Sequence, residues 1–290
     1  HNFIANAYQN GIRNFIISDD VQQSDYPNAN WIKVDDVLLA LQQLVVYHRN
    51  HHQLNVIGIT GSNGKTIVKE WLYQLLSSDF NIVRSPKSYN SQIGVPLSVW
   101  EINNAHNLGI FEAGISAVGE MEQLANIIQP TIGILTNIRE AHDEGFVTKE
   151  EKLNEKLKLF KGVETFIYAP EHMVVNVPLP GKKQFTWSFS HQADLQVVAV
   201  TLKENNSVLK AKYQVKEIEL VVPFIDAAAI ENAVICLATL LVMGYSVEEA
   251  AVRLSKLVKV GMRLQLINGI DHCSLIDDSY SADISSLSIA

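Results

Sequence analysis

The chain has 290 residues, 47% of them hydrophobic, enough for a large core and more than one domain. With 23 Lys and Arg against 31 Asp and Glu, its net charge of −8 argues against binding a nucleic-acid backbone, although a local basic pocket for phosphates can sit in an acidic protein. The longest apolar run, Ala233 to Met243, is too short for a membrane span. No signal-peptide pattern opens the chain, and Cys236 and Cys273 lack CxxC spacing, so a reducing, cytoplasmic setting is expected.

In chain order, residues 1–52 predict a small α/β unit. Phe15-Ile16-Ile17 and Trp31-Ile32-Lys33-Val34 are strand candidates, and Val37, Leu38, Leu41, Leu44 and Val45 recur at helical spacing between Asp35 and His48. His48, His51 and His52 flank the next connection. Without a carboxylate or cysteine at ligand spacing, they read as solvated linker residues rather than a metal site. The chain starts at His1 and stops inside what resembles a helix start, so an internal fragment of a longer protein is expected.

The most informative stretch is Asn55 to Thr66. The β-branched run Val56-Ile57-Gly58-Ile59 leads into Thr60-Gly61-Ser62-Asn63-Gly64-Lys65-Thr66. Ile67, Val68, Trp71, Leu72, Leu75 and Leu76 then make one apolar helical stripe. Strand, glycine turn and helix in this order make a phosphate loop, in which Gly61 and Gly64 let backbone N–H groups converge on an anion. The helix adds its positive end, Lys65 reaches phosphates, and the Thr66 hydroxyl can ligate Mg2+. The fit to G-x-x-x-x-G-K-[ST] is incomplete, because its first glycine falls at Ile59.

Residues 53 to about 260 alternate strand and helix, predicting an α/β fold with a mostly parallel sheet flanked by helices. Strands are expected at 108–111, 131–136 and 165–169, with helices at 119–128 and 149–160. Between Gln184 and Pro223 the pattern turns β-rich, with a turn at Asn205-Asn206-Ser207, and reads as an antiparallel extension. A helix over 228–243 stops at Gly244, and another begins at Ser246 with a capping box to Glu249. Two strands, 264–267 and 273–276, flank Asn268-Gly269 and open a third domain.

Several residues are chemical candidates that also have plain structural readings. Glu112 ends a buried strand and either faces a nucleotide's Mg2+ or is a surface carboxylate. His142 is a loop histidine followed by Asp143 and Glu144. Periodicity alone places Lys156 on a helix's wet face. The polar loop Ser88 to Pro96, with Asn90 and Gln92, either hydrogen-bonds a substrate or is simply a loop.

Together these residues resemble the Mur ligases, ATP-dependent amide-forming enzymes of peptidoglycan synthesis, over almost the whole chain. Thr60 to Thr66 is similar to the family's T-G-x-x-G-K-T loop, which also lacks the first glycine. Asn90-x-x-Ile93-Gly94-Val95-Pro96 and Ala141-His142-x-Glu144-Gly145-Phe146 are similar to the loops of the branch that adds D-alanyl-D-alanine to UDP-N-acetylmuramoyl-tripeptide. Siblings that add one amino acid usually carry Asp-His in place of Ala141-His142.

The resemblance implies a partial N-terminal, UDP-substrate-side domain at 1–52, a central ATP-binding domain at 53–260, and the start of a Rossmann-like C-terminal domain at 261–290. It implies that Gly61, Ser62, Asn63, Gly64, Lys65 and Thr66 bind ATP, with Lys65, His142 and Lys156 catalytic. Two Mg2+ sites follow: one on Thr66 and Glu112, the other on His142 and on Lys156 carbamylated by CO2. Next to Mg2+ a free ammonium repels, whereas a carbamate is an anionic oxygen ligand. Asn137, Asn232, Arg263 and Asp277 match nucleotide-side positions, and Asn90 and Gln92 the substrate loop.

One departure stands out. Where the family often has Gly-x-His-Asn ahead of Asn232, this chain has Ile225-Asp226-Ala227-Ala228. The Ser279-Tyr280-Ser281-Ala282-Asp283 wording resembles the branch fused to an alanine racemase. The alternatives are a sibling Mur ligase or folylpolyglutamate synthetase, a P-loop hydrolase or switch, and a nucleotide-binding fragment without activity of its own.

Overall fold

The structure, a computed structural model, describes residues 2–138, 145–173, 180–261, 265–268 and 273–277. The chain opens with α1 (Ile4–Gln9), β1 (Asn14–Ile17), β2 (Asn30–Lys33) and α2 (Val37–Asn50). β1 and β2 pair in parallel, and Phe15 and Trp31, side by side in that register, stack their rings 4.8 Å apart. α2 starts where the Asp36 carboxylate accepts the Leu39 N–H, a side-chain cap on an otherwise orphaned donor.

A nine-stranded sheet follows. Its elements are β3 (Asn55–Thr60), α3 (Lys65–Leu76), β4 (Ile82–Arg84), α4 (Gly94–Trp100), β5 (Leu108–Glu112), α5 (Glu120–Ile128), β6 (Ile132–Leu135), α6 (Lys149–Leu157), β7 (Thr165–Tyr168), β8 (Lys183–Ser188), β9 (Leu195–Leu202), β10 (Ser207–Tyr213), β11 (Lys216–Val222), α7 (Ala227–Val242) and α8 (Val247–Leu254). The strand order is β11-β10-β9-β8-β7-β6-β3-β5-β4. Every pair from β4 to β9 is parallel.

β3 and β5 are interior strands buried on both faces, hence their continuous apolar runs. One face is covered by α3, α7 and α8, with Trp71, Leu72, Val234 and Leu254 in its core. The other is covered by α2, α4, α5 and α6, with Val45, Val99, Leu124 and Leu153. The apolar stripe expected after the phosphate loop is there: Val68, Trp71, Leu72, Leu75 and Leu76 are buried along α3.

The structure departs from expectation in two places. The β-rich stretch after Gln184 is not antiparallel throughout. β8 pairs in parallel with β7, and β9 with β8 at Trp187↔Leu195 and Ser188↔Gln196; in this sheet the antiparallel pairs are β9–β10 and β10–β11. Apolar runs of strand length carry no direction, and only the tight turn at Asn205-Asn206 between β9 and β10 does. The polar loop expected through Pro96 also ends early, because α4 begins at Gly94. Pro96 sits in that first turn, where a missing N–H costs nothing.

β12 (Gln265–Asn268) and β13 (Ser274–Asp277) form a separate antiparallel pair with Gln265 opposite Asp277. His142, Arg263 and Gly269 lie outside the described residues. The carboxyl ends of β3, β5 and β6 share one edge of the sheet, the edge at which open parallel sheets bind ligands.

Candidate functional site

The loop between β3 and α3 has a shape only glycine permits at two positions. Gly61 has φ +146°, and a Cβ there would lie 1.9 Å from Thr136 Oγ1. Gly64 has φ +83°, and a Cβ there would lie 2.3 Å from Asn232 Oδ1. The segment after β6 braces the loop. Ser62 N–H donates to Asn137 O (2.8 Å), Asn63 N–H to Asn137 Oδ1 (3.0 Å), and Thr136 Oγ1 to Asn63 O (2.6 Å). Asn137 Nδ2 in turn donates to Glu231 Oε1 at 3.1 Å, and His172 Nε2 lies 3.7 Å from that same oxygen. Asn137 and Asn232 therefore both come to the loop, one from the β6 end and one from α7.

Two lysines meet at one carbonyl. Lys65 Nζ donates to Gly61 O and Ser62 O, each at 2.9 Å. Lys156 Nζ donates to Gly61 O at 3.1 Å and is only 4% exposed, so the wet-face reading of Lys156 is overturned. α6 delivers it. Thr148 caps that helix through Glu151 N–H, and Glu155 accepts the Gly119 and Met121 N–H groups at the start of α5, fixing the rotation of α6 against the sheet. Both cations face the curled backbone where a phosphate chain binds in loops of this shape.

On the other side of the loop, Thr66 Oγ1 donates to Glu112 Oε2 at 2.9 Å and lies 2.9 Å from Ser88 Oγ. Glu112 is fully buried, not a surface carboxylate. A hydroxyl and a carboxylate at the first turn of a phosphate-loop helix are hard oxygen donors of the kind Mg2+ takes alongside phosphate oxygens. Among the described residues, no group of three or more His, Cys, Asp or Glu could hold a metal by itself.

Asn90 reaches the same edge: its carbonyl accepts the Gly114 N–H at 2.8 Å, just past Glu112. Gln92 does not. Its amide ties α2 to α5, accepting from Gln42 Nε2 (3.1 Å) and donating to Glu120 O (3.0 Å). Asp277 closes β13 in its own two-stranded sheet. The linker histidines serve packing. His48 Nε2 lies 2.9 Å from Ile102 O with its ring against Trp100, and His51 leans on Tyr47.

Sequence reasoning did not single out Lys69, Thr136 or Glu231. A signal existed for Lys69, which follows Thr66 by one helical turn within the apolar stripe, where a charge needs a partner. Glu231 left only its place beside Asn232.

A family model, the Mur ligase middle domain, matches residues 59–240. The chain is 29% identical over 295 residues to the UDP-N-acetylmuramoyl-tripeptide–D-alanyl-D-alanine ligase of Bacillus subtilis, covering 100% of this chain and 63% of that protein. It is 28% identical to the enzyme of that name from Rickettsia prowazekii, covering 66% of it. A crystal structure of MurF from Acinetobacter baumannii superposes with a TM-score of 0.85 at 25% identity, over 100% of this chain and 64% of that one. MurF from Thermotoga maritima in complex with ADP, at 20% identity and a TM-score of 0.79, shares the fold. The chain thus spans roughly two thirds of the length of these proteins.

Proposed function

The chain belongs to the Mur ligase family, and from that premise we propose that the protein carrying it joins D-alanyl-D-alanine to UDP-N-acetylmuramoyl-tripeptide at the expense of ATP. The observation that carries this reading is the convergence of Lys65 and Lys156 on the Gly61 carbonyl, with the Thr66–Glu112 pair beside them.

A carboxylate is a poor electrophile, so the reaction needs a leaving group. The terminal carboxylate of the tripeptide attacks the γ-phosphorus of ATP, forming an acyl phosphate and releasing ADP. The amine of D-alanyl-D-alanine then attacks the acyl carbon, the C–O bond to phosphate breaks, and inorganic phosphate leaves with the amide formed. The protein's part is chiefly to position groups and offset charge.

Lys65 exchanges the Gly61 and Ser62 carbonyls for phosphate oxygens, and the loop N–H groups and the α3 N-terminus cradle them. Thr66 and Glu112 would hold one Mg2+, which supplies charge neutralisation at the phosphates. Lys156, as a carbamate, would hold a second with His142. Asn137 and Asn232 lie on the nucleotide side, together with Arg263 and Asp277. Asn90 faces the acyl substrate from the β5 end, and Gln92 supports that loop. We place residues 1–52 on the UDP-substrate side, 53–260 as the ATP-binding domain, and 261–290 as the opening of the domain that brings the amine. A cytoplasmic setting accords with it: among the described residues, no helix is long and apolar enough to cross a membrane.

The test is phosphate release by the full-length protein with ATP and UDP-N-acetylmuramoyl-tripeptide, with each candidate amine added in turn. Release that depends on D-alanyl-D-alanine is the expected result. Dependence on a single amino acid would reassign it to a sibling ligase, and release indifferent to any amine would make it a nucleotide hydrolase.

A further inference from the structure

The least explained group near the loop is Lys69. It sits one helical turn beyond Thr66 on α3, so the two side chains share a face. It is fully buried, as is Glu112. Its ammonium has three donors. They point at Ser85 O (2.7 Å), Lys87 O and the carboxylate oxygen Glu112 Oε1 (3.4 Å), and Glu70 Oε1 lies 3.1 Å from the same nitrogen. Taking a cation and a carboxylate wholly out of water is costly unless each satisfies the other. Replacing Lys69 by an apolar residue would leave the Glu112 charge uncompensated.

The two Glu112 oxygens have different partners. Oε1 faces Lys69, and Oε2 accepts from Thr66. Lys69 also grips the 85–88 segment through two carbonyls. Lys87 there adopts φ +50°, a left-handed conformation that a lysine holds only when its surroundings compensate. That segment carries Ser88, whose hydroxyl meets Thr66, and Ser85, whose hydroxyl accepts the Glu112 N–H at 3.4 Å. One ammonium thus ties α3, the segment after β4 and the end of β5 around the Thr66–Glu112 pair.

We propose that Lys69 is the positioning residue of this site: it fixes Glu112 Oε1 and the 85–88 segment, so that Glu112 Oε2 and the Thr66 hydroxyl are presented together to a nucleotide-bound divalent cation. This role rests on the functional reading above, in which Thr66 and Glu112 hold that cation. Lys69 touches neither nucleotide nor metal and acts through Glu112.

The experiment is titration of Mn2+, followed by electron paramagnetic resonance, into the full-length protein saturated with ADP. ADP affinity without metal is measured alongside. Wild type that binds no Mn2+ beyond ADP alone, or Glu112→Gln that binds it equally well, overturns the metal site itself and the functional reading with it. Given a working site, Lys69→Met is expected to weaken Mn2+ binding by about 10–100-fold. Metal-free ADP affinity should stay within about twofold, a split that general unfolding would not produce. Lys69→Met added to Glu112→Gln should cost nothing further, since the residue has lost the group it positions. If Lys69→Met alone does not fold, that comparison still decides. Wild-type Mn2+ affinity in Lys69→Met, a further loss in the double variant, or a double variant that does not fold would each overturn the role of Lys69 while leaving the ligase reading in place.

Discussion

Two side chains carry most of the functional argument at the scale of single residues, and they were unequally legible. Lys65 follows a glycine turn and declares itself. Lys156 lies in a charged helix where periodicity suggests solvent, and only its spacing after His142 within the family pattern pointed inward. It is buried because Glu155, its neighbour, is taken up by the N–H groups that open α5. If Lys156 works as a carbamate, Lys156→Ala should lower phosphate release by about 100-fold. A short carboxylic acid supplied in solution should restore part of it, whereas bicarbonate alone should not. Recovery in bicarbonate alone would contradict the carbamate. Gly64 supplies a steric prediction. Gly64→Ala forces a left-handed alanine and drives its methyl into the Asn232 amide, so it should cost roughly 1–3 kcal/mol and abolish nucleotide binding. Thermal denaturation and ADP titration of the variant check both. Neither Asn232 nor Thr136 could be matched to a glycine from sequence, since their approach depends on β6 and α7 arriving from far along the chain.

Helices and strands were largely readable individually, and their partners were not. The apolar stripe of α3 and the capping box at Ser246 and Glu249 came directly from residue spacing. What joins α8 to the end of α3 did not. There Arg253 pairs with Asp79 (2.7 Å) and donates to Ser78 Oγ (3.1 Å) and to Leu75 O, while Tyr245 hydrogen-bonds Asp79 beneath the guanidinium. Burial, then the Asp79 carboxylate, push the Tyr245 hydroxyl from 10.0 up to about 12. The folded chain therefore keeps this proton while the unfolded chain releases it near pH 10. The stabilisation is whole below about pH 10 and disappears as pH rises towards about 12. Urea midpoints at about pH 9 and about pH 11.5 should drop less in Tyr245→Phe than in wild type. An equal drop would remove the hydroxyl from the account. The direction of β8 and β9 was equally hidden, because a buried strand shows the same composition whichever way it runs.

In the whole molecule, the boundary at residue 52, drawn from the strand and helix pattern, follows a helix that packs against the elements beyond it. α2 belongs by sequence to the first α/β unit, yet it packs against α4 and α5, and its Val45 is fully buried in that core. Arg49 donates to Ile128 O (3.2 Å) and Gln129 O (3.3 Å), laying a cation on the negative end of α5. Uncovering Val45 alone forfeits about 1.5–3 kcal/mol. A chain of residues 35–261 should therefore unfold at clearly higher urea than one of residues 53–261, and equal midpoints would mean that α2 is only a tether.

The place of β3 between β5 and β6, two strands from later in the chain, also bears on how the protein comes into being. Its backbone bonds reach Thr131, 75 positions along the chain, and the Thr60 hydroxyl reaches Ala113, 53 positions along. Neither closure is local, and distant parallel pairings of this kind are slow to form. On the ribosome, a phosphate loop braced by Thr136 and Asn137 should lack its fixed shape until the β6 strand has been translated. Nascent chains halted before residue 130 should therefore fail to retain nucleotide, and those carried past Asn232 should be the first to hold it.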